Sequence, residues 1–182
     1  DGKSLVCVTV GEETPQAQLN NASYRLMQVA NTGASPTYNW TVNTLHATSM
    51  GQPAIQAWRD HGNGLNQPDP SVIIVHADVP DEGHFVAAGK VRDLSGNGTG
   101  PWRYDYAVFN LNSHRAGAWL QVDVPAGSTV TNMGFNSPEY HSGEVYSNTP
   151  WSTAKIGGKV RFASPEDFAT NPNTNALRWG TM

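Results

Sequence analysis

The sequence predicts an all-β fold, a two-layer antiparallel β-sandwich of about ten short strands with at most one short helix near residues 53–60. Three observations lead there. Apolar and polar side chains alternate with period two through many stretches, the pattern of a strand with one buried face. Only 14% of the 182 residues are charged, against roughly 25% in an average globular chain, and Asn, Ser and Thr carry much of the polarity. Eighteen Gly and twelve Pro punctuate these stretches, while six Trp, six Tyr and five Phe supply a core. Such a composition excludes a coiled coil or helical array, and it excludes disorder.

Taken in order, residues 4–10 alternate as an opening strand. Residues 24–29 and 38–42 are short and rich in aromatic and β-branched side chains, so they read as strands. Residues 53–59 are the helix candidate: Pro53 suits the first helical position, and Ile55 and Trp58 lie on one face. The run from His61 to Pro70, with two Gly and two Pro, is a loop. Residues 71–79 and 85–94 read as strands, and the turn cluster at 95–100 leads into a further strand at 102–109. Residues 118–124, 129–133, 159–163 and 176–182 complete the set. With no internal repeat or low-complexity linker, residues 1–182 form one domain. The last strand, with Ala176 and Met182 at its ends, stops without a turn or polar cap. It reads as an open edge able to pair with another protein chain or a second copy, in a fragment of a longer chain.

The formal net charge is -4, with no run of like charges. The basic stripe of a nucleic-acid binder and the polybasic patch of a membrane-surface protein are both missing. The longest apolar run, Val72-Ile73-Ile74-Val75, is far too short for a membrane span. The single cysteine, Cys7, allows no internal disulfide. It reads as a small buried strand residue, with a reactive thiol or a partner cysteine outside this chain as the alternatives. The charge-poor, Asn/Thr/Gly-rich composition points to an extracellular or cell-surface location. Asn21, Asn39 and Asn97 each begin a glycosylation sequon.

The six histidines show no metalloprotease or zinc-finger spacing, and no cofactor is implied. His76, Asp78 and His84 form one weak metal or acid–base candidate, since residues 76 and 78 share a strand face and a turn could return residue 84. Asp93 and Asn97 form a second, with oxygen side chains at alternate positions as in a calcium loop. Position twelve, where such loops carry an acid, is Tyr104. A hairpin turn between two strands accounts for those residues better. His114, Arg115, Tyr140, His141 and Glu144 lie in two polar clusters that could form an acid–base set, although no nucleophile elbow accompanies them. Structural polar networks are the competing explanation. Trp40, Trp58 and Trp151 are the candidates for a sugar-stacking platform, whereas Trp102, Trp119 and Trp179 fit strand patterns and read as core.

Six motifs occur in order: Asn20-Asn-Ala-Ser-Tyr-Arg25, Gln52-Pro-Ala-Ile-Gln-Ala-Trp58, Trp102-Arg-Tyr-Asp-Tyr-Ala-Val108, Asn110-Leu-Asn-Ser-His-Arg115, Tyr140-His-Ser-Gly-Glu144 and Asn175-Ala-Leu-Arg-Trp-Gly-Thr181. In this set the chain resembles an uncharacterised family of secreted proteins of planctomycetes and other marine bacteria. The resemblance implies no activity, cofactor or catalytic residue. It does imply a longer secreted chain, with a cysteine-bearing region before this segment and an aromatic strand after it.

Three functions fit these observations. One is a secreted non-catalytic interaction or structural domain, as in a surface layer or filament. The second is a carbohydrate-binding module, which requires exposed coplanar rings among the three candidate tryptophans. The third is an extracellular hydrolase or lyase, which requires the His, Arg, Tyr and Glu candidates to meet in one cleft.

Overall fold

The computed structural model describes residues 3–9 and 22–182, with side chains described from Ala22 onward. Among the described residues the chain is nearly all β, with nine strands in three antiparallel sheets and one five-residue helix. The first sheet has the order β1 (Lys3–Thr9), β2 (Ala22–Asn31), β3 (Trp40–Thr44). The helix α1 (Gln56–Asp60) follows. The second sheet is the meander β4 (Ile73–Val79), β5 (Gly83–Asp93), β6 (Trp102–Asn110). The third sets β9 (Lys159–Ala163) between β7 (Trp119–Asp123) and β8 (Ser152–Ile156). No helix among the described residues is long and apolar enough to cross a membrane.

The middle sheet is packed on both faces. Register pairs Val86 with Phe109 and Ala88 with Ala107, so these side chains share one face. There they form a core with Ile55 beside α1, Val72 and Ala22 of β2. Phe85 and Val108 point the opposite way, because successive strand residues alternate. They pack against the core of the third sheet: Trp151, Val160, Phe162 and Leu177. Beyond Phe85 and Val108 the same face runs out to Tyr106, Tyr104 and Trp102, all more than two-fifths exposed.

Polar ties hold the elements in place. Tyr24 is buried, and its hydroxyl donates to Asp60 at 2.8 Å, fastening β2 to the end of α1. Asp69 is buried, donates its amide to the Arg59 carbonyl of α1 at 2.7 Å, and receives the Lys90 ammonium and the Ser71 hydroxyl. Those two donors hold its carboxyl down to about 2. Gly83 opens β5 at φ 151° with its α-carbon against the backbone of Ser113, where a β-carbon would sit 2.7 Å from the Ser113 nitrogen. Only glycine fits both demands.

Two expected strands do not form. Residues 129–133 are irregular, since Asn132 takes φ 53°, a left-handed conformation that interrupts an extended run. Residues 176–182 are not a strand either. Leu177 makes a single bridge to Gly117, after which the chain turns: Gly180 takes φ 76° and the Thr181 amide donates to the Arg178 carbonyl at 3.0 Å. The expected open edge from Ala176 to Met182 is therefore not formed as a strand edge. Conversely, β8 was not expected. Its signal is Gly157-Gly158, a two-residue loop with both φ values positive, which joins β8 to β9 as a tight hairpin. The side-chain environment of Cys7 and the sequon residue Asn21 lie outside the described residues.

Candidate functional site

A cleft of about 600 Å³ opens where the loops after β7 and β9 meet. Its walls carry His114, Tyr140, His141, Glu144, Tyr146, Phe168, Arg178 and Trp179.

Its foundation is a buried amide network. Asn110, at the end of β6, is fully buried and acts as a hub. Its side-chain amide donates to the carbonyls of Ser113 (3.0 Å) and Leu177 (2.9 Å), and its side-chain oxygen accepts from the Ser113 amide at 2.8 Å. Its backbone exchanges two further bonds with Gly180 and Thr181. Asn175, also fully buried, donates to the Thr149 carbonyl, and the Trp151 indole donates to the Asn175 carbonyl at 2.7 Å. The segment 175–181 is thus fastened from both sides, which sets Arg178 and Trp179 at the cleft.

Within the cleft, Arg178 donates to the carbonyls of Pro172 (2.7 Å) and Thr174 (2.8 Å). Those bonds lay its guanidinium 3.6 Å from the centre of the Tyr146 ring, a close cation–π contact. Tyr140 packs beside Tyr146 with ring centres 5.1 Å apart. Its hydroxyl donates to the Ala176 carbonyl, and burial pushes its pKa up. Asn148 clamps the Tyr140 backbone on both sides, accepting its amide at 2.7 Å and donating to its carbonyl at 2.8 Å. Glu144 accepts the His141 amide at 2.8 Å. His114 meets Phe168 edge-on, and Trp179 is 54% exposed.

Four of the five acid–base candidates therefore line one cleft: His114, Tyr140, His141 and Glu144. Arg115 does not. It binds Glu82 through its amide and its guanidinium, while the Ser113 hydroxyl donates to the same carboxylate. The Arg115 amide first, then its side chain, hold the Glu82 carboxyl below its ordinary range. Asn112 accepts the His84 amide at 2.6 Å. The Asn110–Arg115 motif is thus chiefly a structural clamp, with His114 alone turned toward the cleft.

The tryptophans depart from expectation. Trp151 is 9% exposed and belongs to the core, so it is no platform. Trp58 is partly buried against the other core. Trp40 is exposed and stacks loosely with Tyr38, at 6.4 Å and 27°. Trp102, Trp119 and Trp179, expected in the core, are half exposed. Strand alternation shows which side chains share a face but not whether another sheet covers that face.

His76, Asp78 and His84 do come together. Asp78 accepts from His84 Nδ1 at 2.6 Å, and His84 Nε2 lies 2.9 Å from His76 Nδ1. The register pairs Asp78 with His84 across β4 and β5. Asp93 and Asn97 direct their oxygens to Ser95 and Thr99 of their own turn, which is the hairpin explanation rather than a calcium loop. Among the described residues no group of three or more His, Cys, Asp or Glu side chains is arranged to hold a metal ion.

Sequence reasoning missed a second cavity of about 390 Å³, lined mainly by apolar residues including Leu26, Ile55, Trp58, Ala107 and Met182. His61 lies at its wall, stacked on His46 with ring centres 4.7 Å apart. Burial, and then the neighbouring His46, lower the His61 pKa. His61 Nδ1 accepts the Asn66 amide and His46 Nε2 accepts the Leu26 amide, so both rings are tied into the local backbone. Only the histidines themselves could have signalled this cluster, because they are 15 residues apart and joined through the helix. The cleft at Trp179 is the better candidate, since it combines exposed aromatic and charged side chains. No family model, no curated protein and no solved structure matches the chain.

Proposed function

We propose that this chain is a secreted, non-catalytic glycan-binding domain, acting at a bacterial cell surface or in an extracellular layer, with its ligand seat in the Trp179 cleft. The platform expected of Trp40, Trp58 and Trp151 does not form, since Trp151 is buried and Trp58 partly buried, and one observation at Trp179 carries the reading instead. A half-exposed indole stands beside Tyr140, Tyr146, Arg178, Glu144 and two histidines in one concave site. A sugar needs this mixture, with an aromatic face for its C–H groups and charged or polar side chains for its hydroxyls. The cleft carries both Glu139 and Glu144 against Arg178, which suits a neutral saccharide better than a polyanion. The charge-poor composition supports the extracellular setting. Packing on both faces of the middle sheet supports reading the layers as a β-sandwich.

The test is binding of the intact chain to an array of neutral and anionic oligosaccharides, followed by titration of any hit. Trp179→Ala is expected to weaken binding roughly tenfold or more, as truncation of a central aromatic anchor does. Equal binding by the variant, or no binding to any saccharide, overturns the proposal.

A hydrolase or lyase is the second reading, favoured by the convergence of His114, Tyr140, His141 and Glu144 in that cleft. Against it, the Tyr140 hydroxyl is engaged by the Ala176 carbonyl and Glu144 by the His141 amide. Release of reducing ends or of an unsaturated sugar from a bound oligosaccharide would favour this reading over the first.

A further inference from the structure

Beyond Phe85 and Val108, where the core of the third sheet packs, the middle sheet continues with one charged face and one apolar face. Register and alternation put Lys90, Arg92, Arg103 and Asp105 on the charged face, where Asp105 binds Arg103 at 2.8 Å and Arg92 at 3.1 Å. The opposite face carries Ile73 and Val75 of β4, Val91 of β5, and Trp102, Tyr104 and Tyr106 of β6. The Tyr106 ring leans over Gly89, where a β-carbon would sit 3.3 Å from it, and so covers the gap between the outer rows. The solvated face of an antiparallel sheet is normally polar. Here the six side chains of the apolar face are 44–63% exposed.

We infer that this face is the seat of a second copy of the chain, packed sheet to sheet about a two-fold axis parallel to the strands. Area is the first support. With aromatic side chains of about 150–250 Å² each and half of that in water, the six present roughly 600 Å². That is the upper end of what a monomer leaves in one patch. Two such faces pressed together remove about 1,200 Å² from water, where stable specific interfaces begin. Charge is the second support. None of the six side chains is charged, so the face does not repel its own copy, and it offers nothing to select a charged partner. Shape is the third. The aromatic row stands on β6 and the smaller aliphatic pair on β4, with β5 between them. A two-fold axis along the strands lays each aromatic row on the aliphatic row of the other copy, the reciprocity that an isologous contact requires. Tyr and Trp suit such a place, because each ring is buried while its polar tip reaches the rim.

The test is sedimentation equilibrium of the intact chain at micromolar concentrations and neutral pH, which should show a monomer–dimer equilibrium and no larger species. Tyr104→Lys puts a charge at the middle of an exposed face and should raise the dimer dissociation constant at least about thirtyfold, with the circular dichroism spectrum unchanged. Arg103→Gln, one residue away on the charged face, should leave it unaltered. Cross-saturation between labelled and unlabelled copies of the parent chain should reach the amides of residues 73–75 and 102–106, and it requires no variant. A monomer throughout the range overturns the inference, whether the face stays bare or further sequence of a longer chain covers it. So does a dimer that Tyr104→Lys leaves intact, or cross-saturation centred elsewhere.

Discussion

Two polar clusters follow β6, residues 110–115 and residues 140–144, and both contain His, Ser and a charged side chain. In the first, polar groups face inward. Asn110 and Ser113 are fully buried, and Glu82 gathers Ser113 and Arg115. In the second, a side-chain clamp at Asn148 holds the backbone while His141 and Glu144 stay exposed at a cleft. The difference teaches that residue type does not separate structure from binding. What separates them is whether a cluster's donors and acceptors are used up by its own chain.

The largest effect should come from breaking the inner cluster. Asn110→Ala strands the Ser113 amide and carbonyl in a buried site and leaves the Leu177 carbonyl with the Gly117 amide alone, and is expected to cost about 1–3 kcal/mol. Chemical denaturation should report that loss, and exchange of the amides at 177 and 180 should rise with it. An unchanged denaturation midpoint would show that the hub is not holding the 175–181 segment.

Glu82→Gln should cost less, and its signature is a pH dependence. The folded carboxyl sits below its ordinary value of 4.5 because the Arg115 amide and side chain favour the charged form. Its contribution is therefore present above about pH 4.5 and lost as pH falls through the lower folded value. Stability measured across acid pH should fall less steeply in the variant than in the parent chain.

The smallest effect on stability belongs to the outer cluster. Trp179→Ala removes a half-exposed ring and should change stability by no more than about 0.5 kcal/mol, while the cleft loses its main stacking surface. A large loss of stability would instead make Trp179 part of the fold's support, and the contrast between the clusters would collapse.

Much of the architecture was legible beforehand. The strands at β2, β5, β6, β7 and β9, and the helix after Pro53, follow from alternation and turn residues, which are local properties of the chain. The meeting of His114, Arg115, Tyr140, His141 and Glu144 in one cleft was posed as a condition, and the cleft meets it only in part, with Arg115 held on Glu82 instead. Arg178, the guanidinium on Tyr146, was not legible, because a strand was expected where Gly180 turns the chain. Nor was the division of the tryptophans into buried and exposed.

By itself, the sequence determined an all-β chain of short antiparallel strands, because side-chain period and turn chemistry act over a few residues. Tertiary structure alone decided that Trp151 is buried and Trp179 exposed, that Arg115 turns to Glu82, and that a cleft opens between the loops. Those outcomes depend on which face of one sheet another element covers, and on contacts between residues tens of positions apart. Local periodicity carries no information about either.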